Sequence, residues 1–403
     1  MRKILTFLLL MNCFWAVAQH KCATTEKMQE ALNHEDAYKA SIADLTELQR
    51  QFEAGEIANN TRDDGSIYTI PVVVHVVYYD EVNNISMEQI HSQIDVLNRD
   101  FNLRNADQSE IPAVFSEAKA SVGFNFVLAD KDPNGSFTTG VTRTKTTVQD
   151  IGDTEFYYKS LAGGIDPWPQ PHYLNVWVCD IGGLVLGYSF LPATEKSKRD
   201  GIVMAPRAFG TIGTAVSPYN LGRTMVHETG HYFGLQHLWG SESGDCNHTD
   251  YMSDTPNQFG PNNGCKNFPT YSCPNEATGD MFMNYMDYAT DGCMYLFTER
   301  QASFMRLVIN TSRVSLQHST ALTSVQEIEV ENKAVLYPNP ASDLVHLEFL
   351  NQISDQVSLI DVRGVLIKTW QPKSKLEAID MSDLDAGVYF LKTSSETLRL
   401  VVQ

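Results

Sequence analysis

Residues 224–240 read TMVHETGHYFGLQHLWG. His227 and His231 stand four apart, Glu228 follows the first, and His237 lies six beyond the second. On a helix, residues four apart share one face, one turn from each other. Both imidazoles can then reach a single ion. This is the H-E-x-x-H arrangement, two zinc ligands beside a carboxylate able to take a proton from water. A continuing helix would carry His237 about 15 Å along the axis from His227, whereas a zinc–nitrogen bond is about 2 Å. The chain must therefore stop and turn, and Gly234 can turn it, because glycine takes positive φ without a steric penalty. Three neutral imidazoles leave a fourth coordination position for water. The implied chemistry is peptide hydrolysis, with Glu228 accepting the proton and passing it to the leaving amine. A structural site closes with four protein ligands, so the alternative is an inactive zinc-containing surface adhesion or binding protein.

The elements that must position this stretch can be read on either side of it. IYTIPVVVHVVYYD is a dense β-branched and aromatic run, the signature of a central strand. SMEQIHSQIDVLNRDF follows, with Ser86 and Gln89 at capping-box spacing and apolar residues at helical period. GFNFVLAD and YLNVWVCDIGG predict further strands, and TERQASFMRLVIN a closing helix. Together they predict an α/β (α+β) unit, a mixed sheet with an active-site helix, over 62–319. From AVLYPNPASDLVHLEF onward Val345, Leu347 and Phe349 alternate with His346 and Glu348. That pattern predicts an all-β, immunoglobulin-like sandwich at the end of a linker-plus-domain segment, 320–403.

The amino end predicts export. Arg2 and Lys3 precede an apolar run too short to span a bilayer, and Ala16-Val17-Ala18 is a small-x-small cleavage site, giving a signal peptide over 1–18. No later stretch predicts a transmembrane segment. Residues 19–61 are polar and helix-prone, with little to build a core, and their place predicts a propeptide. The net charge of -19 argues against nucleic acid, which needs a basic face. Export permits disulfides. Cys246, Cys265, Cys273 and Cys293 cluster, and four cysteines allow three pairings. Cys179 predicts a buried strand thiol.

HETGHYFGLQH resembles the active-site segment of metzincin metallopeptidases, and MNYMDYATDGC resembles their methionine turn. A distant glutamate as third ligand, the gluzincin pattern, is argued against by His237 and by that turn. The resemblance implies Met286 beneath the zinc and Tyr288 flanking it. IPVVVHVVY, LNVWVCDIGGLVLGYSFLP and GDCNHTDYMSDTP extend the likeness to the pappalysin family, in its bacterial ulilysin- and mirolysin-like branch, over roughly residues 20–310. The resemblance implies the pairs Cys246–Cys273 and Cys265–Cys293. It implies that an edge strand around Leu184, Gly187 and Tyr188 holds an extended protein or peptide substrate. It implies calcium at Asp250, Asp254 and Thr255, in a loop rich in the oxygen ligands calcium prefers. It implies that Asp291 lines the S1′ pocket and selects arginine, then lysine, after the scissile bond. Cys22, in HKCATTE, resembles the cysteine of an inhibitory pro-segment and would occupy zinc in the zymogen. Self-processing is then expected at Thr61–Arg62. YPNPASD and GVYFLKTSSETLRLVVQ resemble the type IX sorting domain, which implies partner secretion machinery and a secreted or cell-surface protein exported through a Gram-negative periplasm.

Overall fold

The computed structural model describes residues 22–34, 36–57, 66–192, 197–240, 243–274, 277–322, 334–349, 353, 356–361, 365–393 and 397–402. The expected signal peptide and the Thr61–Arg62 bond lie outside the described residues. The chain divides into two units, residues 1–323 and 324–403.

The first unit contains helices Thr24–His34 (α1) and Asp36–Glu53 (α2), strand Tyr68–Tyr78 (β1) and helix Met87–Asp100 (α3). Strands Lys119–Ala120 (β2), Phe124–Leu128 (β3), Val141–Lys145 (β4), Leu174–Cys179 (β5), Gly187–Ser189 (β6) and Ile202–Met204 (β7) follow. Helix Arg223–Tyr232 (α4), strand Phe297–Thr298 (β8) and helices Glu299–Asn310 (α5) and Val314–Gln317 (α6) complete it. β1 is buried on both faces from Ile70 to Val77, as expected of a parallel strand covered by other layers. It pairs in parallel with β3 and β4 along one edge and with β5 along the other. The order is β3-β1-β5-β7-β6, and β6 runs antiparallel to β7 at the sheet's edge.

Two departures from the sequence pattern matter for the site. Ser86 caps α3 by accepting from Gln89 N at 3.2 Å. The Gln89 side chain does not return the bond as a capping box would. Its Nε2 donates instead to Phe209 O and Thr214 Oγ1 at 2.8 and 2.9 Å, bolting the loop before α4 to α3. Residues 24–53, expected to have little to bury, place Ala31, Tyr38, Leu45 and Phe52 at no more than 5% exposure.

β1 carries one titratable group into the sheet. His75 is fully buried, with Nδ1 at 2.7 Å from Thr142 Oγ1 and Nε2 at 3.0 Å from Asn175 Oδ1. Burial holds its pKa down at about 4, although the Asn175 bond pulls the other way. The folded value lies below the unfolded one of about 6.5, so the unfolded chain binds the proton first. This contribution is complete above about pH 6.5 and is lost as pH falls towards 4. The span corresponds to about 3 kcal/mol. His75→Gln should flatten the pH dependence of the unfolding free energy from urea titrations between pH 7 and 4 by that amount. An unchanged slope would remove His75 from the acid response.

Among its described residues the second unit holds seven antiparallel strands, Ala334–Tyr337 (β9), Leu344–Phe349 (β10), Val357–Asp361 (β11), Leu366–Trp370 (β12), Leu376–Asp380 (β13), Gly387–Lys392 (β14) and Thr397–Val402 (β15). They form sheets ordered β13-β10-β9 and β12-β11-β14-β15. Val345, Leu347 and Phe349 share one core with Leu359, Leu391 and Leu400. Among the described residues no helix is long and apolar enough to cross a membrane.

Candidate metal centre

α4 is buried along its whole length, so its polar side chains must find partners inside the protein. At its start Arg223 pairs with Asp100 of α3 and with Asp107, at 3.2 and 2.6 Å, and donates to Asp291 O at 2.7 Å. Asp291 Oδ2 accepts from the backbone N–H of Leu221 and of Arg223, at 2.8 and 3.2 Å. A carboxylate at this end satisfies donors that the helix leaves unpaired and complements its dipole.

The helix ends at the glycine. Gly234 has φ +90°, Gly234 N donates to His231 O and Leu235 N donates to Gly230 O, the paired bonds of a Schellman turn. A Cβ at Gly234 would meet Phe304 and Val308 at 3.1 Å, so the space is closed as well as the conformation restricted. Beyond the turn His237 comes back alongside the helix. Its Nε2 lies 3.0 Å from His231 Nε2, which lies 3.1 Å from His227 Nε2. Cys22 Sγ joins them, and the four ligand atoms lie within 4.8 Å of one another.

The donor set fits a zinc ion. His227 Nδ1 lies 2.7 Å from Tyr285 O and His231 Nδ1 lies 2.8 Å from Leu235 O. Each Nδ1 must carry the proton to donate to a carbonyl, so each Nε2 presents a lone pair inward. Lone pairs facing each other at 3 Å repel, and a cation between them removes the repulsion. Tetrahedral nitrogens about 2.05 Å from zinc lie about 3.3 Å apart, close to the spacing seen here. Burial holds His231 down at about 4, hence neutral, the form in which imidazole ligates metal.

Glu228 faces the same space. Its Oε2 accepts from Thr24 Oγ1 at 3.0 Å and from Ser189 Oγ at 3.3 Å, and Ser189 Oγ also lies 2.9 Å from Glu228 O. Ser189 thus ties the end of β6 to the carboxylate. Met286 lies under α4, where a Cβ at Gly230 would meet its sulfur at 2.5 Å; the helix needs a glycine there to accept the methionine turn. Tyr288 OH donates to Cys22 O at 3.2 Å. Trp239 stacks on His237 with centroids 4.5 Å apart and planes at 12°.

Residues 22 and 23 lie along the sheet edge. Cys22 bridges Gly187 in the parallel sense, and Ala23 N donates to Gly187 O at 3.1 Å. Tyr188 is buried, with its hydroxyl on Gly152 O, while Leu184 is 46% exposed. Cys246 is bonded to Cys273 and Cys265 to Cys293, and Cys179 is a buried free thiol. Each bridge closes a loop of 27 or 28 residues, worth roughly 3–4 kcal/mol. The acidic loop is compact. Asp250 accepts from Thr255 Oγ1 and Met252 N, and burial, with Asp254 nearby, pushes its pKa up to about 8. Asp254 accepts from Thr298 Oγ1 at 2.7 Å and Arg300 N at 2.8 Å.

Thr24, Ser189, Trp239 and Arg223 had no separate signal in the sequence. Each acts through a partner that only the fold brings near.

Comparisons with known proteins agree with this geometry. The family model described as pregnancy-associated plasma protein-A matches residues 164–310, and a secretion-system C-terminal sorting domain matches residues 335–403. An extracellular metalloprotease of Pyricularia oryzae is 33% identical over 266 residues, 63% of this chain and 79% of that one. Mature mirolysin of Tannerella forsythia, solved with a cleaved peptide, is 46% identical, with a TM-score of 0.61 over 62% of this chain and 96% of that one. A promirolysin variant from the same organism is 40% identical, with a TM-score of 0.65 over 74% of this chain and 97% of that one. The sorting domain marks the chain for type IX secretion. The chain belongs to the pappalysin family of metzincin metallopeptidases.

Proposed function

We propose that this metalloprotease is a zinc endopeptidase that cuts before arginine and lysine and is held latent by the segment ending near residue 61. The observation that carries the reading is the convergence of three histidine Nε2 atoms and Cys22 Sγ beside Glu228. His227, His231 and His237 would hold the zinc, with Cys22 as a further donor in the zymogen. Zinc, when bound, supplies Lewis acidity to water and to the scissile carbonyl.

The chain's own residues do the rest. Glu228 takes a proton from the attacking water and returns it to the leaving amine. Ser189 holds that carboxylate in place. Tyr288, whose hydroxyl donates to the Cys22 carbonyl in the latent chain, would donate to the substrate oxygen that gains charge. Leu184, Gly187 and Tyr188 belong to the edge an extended substrate would join. Calcium would be held by Asp250, Asp254 and Thr255, where the buried Asp250 carboxylate has Asp254 close enough to raise its pKa. The second unit serves as an immunoglobulin-like sorting sandwich recognised by the secretion machinery. Residues 1–18 serve as signal peptide, 19–61 as propeptide and 62–319 as catalytic domain.

Cys22→Ala should leave a zymogen with measurable peptidase activity before any cleavage, since one donor over the histidines is gone. A variant as silent as wild type would remove Cys22 from latency. Asp291→Asn keeps an acceptor for Leu221 N and Arg223 N but loses the charge. A charge-assisted bond to a guanidinium contributes about 1.5–3 kcal/mol, so the preference for arginine over an uncharged residue should fall roughly 10- to 100-fold. Cleavage profiling and amino-terminal sequencing test both ends of the idea. The mature enzyme should begin at Arg62, and a profile without basic preference, or a start far from Arg62, would sink this pairing of pocket and processing site.

A further inference from the structure

Residues 22–57 are held at two separate places. One is the histidine cluster with Glu228 and β6. The other lies along α2. Tyr38, Ser41, Leu45, Gln49 and Phe52 recur at three- and four-residue spacing and are all at most 5% exposed. They form one stripe of an amphipathic helix. The Phe52 ring meets Phe304 of α5 edge-on at 5.2 Å. The Arg300 guanidinium lies 4.1 Å from the Phe52 ring centroid and donates to Phe52 O at 2.6 Å. Gln49 Nε2 donates to Gly234 O at 2.9 Å, and Gln49 Oε1 accepts from Gln236 Nε2 at 2.8 Å. None of these contacts passes through the histidines, Glu228 or β6.

We propose that the surface formed by Gly234, Gln236, Arg300 and Phe304 is a docking site for α2, and that it retains the pro-segment after the junction is cut. The excised segment then remains as a non-covalent inhibitor, and activation needs a second event that removes α2. This rests on the reading of residues 22–57 as an inhibitory pro-segment. A cut within residues 58–65 removes the covalent tether and the effective concentration it supplies. It breaks no contact of the α2 stripe. A buried aromatic anchor covered by an arginine, with its flanking polar groups paired, is the composition of an interface hot spot. Departure of α2 would also expose the ring of Phe304 and leave Gly234 O and Gln236 without their Gln49 partner.

The test uses the full chain with residues 60–64 exchanged for the recognition sequence of an unrelated protease. After nicking, size-exclusion chromatography and peptide hydrolysis are read on the same sample. The pro-segment should co-elute with the enzyme, and activity should stay at least tenfold below that of enzyme from which it has been digested away. Leu45→Ala with Phe52→Ala should weaken retention roughly 100-fold or more, from two lost core side chains. Cys22→Ala alone should leave the segment bound. If the double variant does not fold, Gln49→Ala should weaken retention roughly tenfold through its two lost hydrogen bonds. The proposal is overturned if the wild-type segment separates on nicking, if Cys22→Ala alone releases it, or if the α2 variants retain it as wild type does. Nicked enzyme that elutes as a dimer without the segment would assign the surface to a second copy, and also overturns it. Co-elution with full activity would instead remove the latency reading and leave the docking site standing.

Discussion

Glu228→Ala is expected to keep one zinc per chain and to lose peptide hydrolysis by roughly 10³- to 10⁴-fold. The histidines converge through their Nε2 atoms, and the Nδ1 protons of His227 and His231 are held by Tyr285 O and Leu235 O, not by Glu228. Removing the carboxylate therefore leaves the ligand set oriented. What disappears is the group that moves the proton, and general acid–base catalysis contributes up to about 10⁴-fold. On the proposed self-processing the variant is expected to stay uncut, so it is processed by an external protease before assay. Metal analysis beside a peptide assay separates the two effects. Zinc retention with near-normal turnover would exclude this role for Glu228.

His237→Ala is expected to lose both metal and activity. The third nitrogen reaches the cluster only because the chain reverses at Gly234, and nothing else in the 233–239 turn stands in the ligand group. Even groups one step removed from a metal are worth about 10- to 100-fold in affinity, so a direct ligand should exceed that. The loss also takes away the ring on which Trp239 stacks. Circular dichroism at neutral pH should show the fold retained, which separates ligand loss from unfolding. A variant that holds zinc stoichiometrically and hydrolyses peptide would mean that the third-ligand argument is wrong.

The contrast between these residues and the ones read only from the fold is physical. A ligand pair four apart, a glycine and a third histidine are local in sequence, and helix geometry alone says what they can reach. β1 was legible for the same reason, its β-branched run being a local preference, and so was the alternation of Val345, Leu347 and Phe349. Ser86 and Gln89 mark the limit. Their spacing signals a helix start, and Ser86 makes one, but Gln89 is buried and its amide is drawn to Phe209 and Thr214. Residues 19–61 offer little in their sequence to build a core, yet α2 buries a stripe that includes Ser41 and Gln49. A glutamine is buried only where a carbonyl such as Gly234 O waits for it, and that carbonyl lies 185 residues away. Arg223 and Ser189 were silent for the same cause: a buried arginine or serine takes its role from partners distant in sequence. Cys22 was legible through family likeness alone, since a lone cysteine in a polar segment carries no spacing.

The most direct test of the zinc centre is to strip and return the metal on one sample. Processed enzyme dialysed against a chelator should lose its zinc and its peptide hydrolysis together, in proportion, and regain both when one equivalent of zinc is restored. Calcium held constant throughout keeps the acidic loop out of the comparison. Hydrolysis that persists after the zinc has gone, or fails to follow its return while the fold is intact by circular dichroism, would contradict a hydrolytic centre built on His227, His231 and His237.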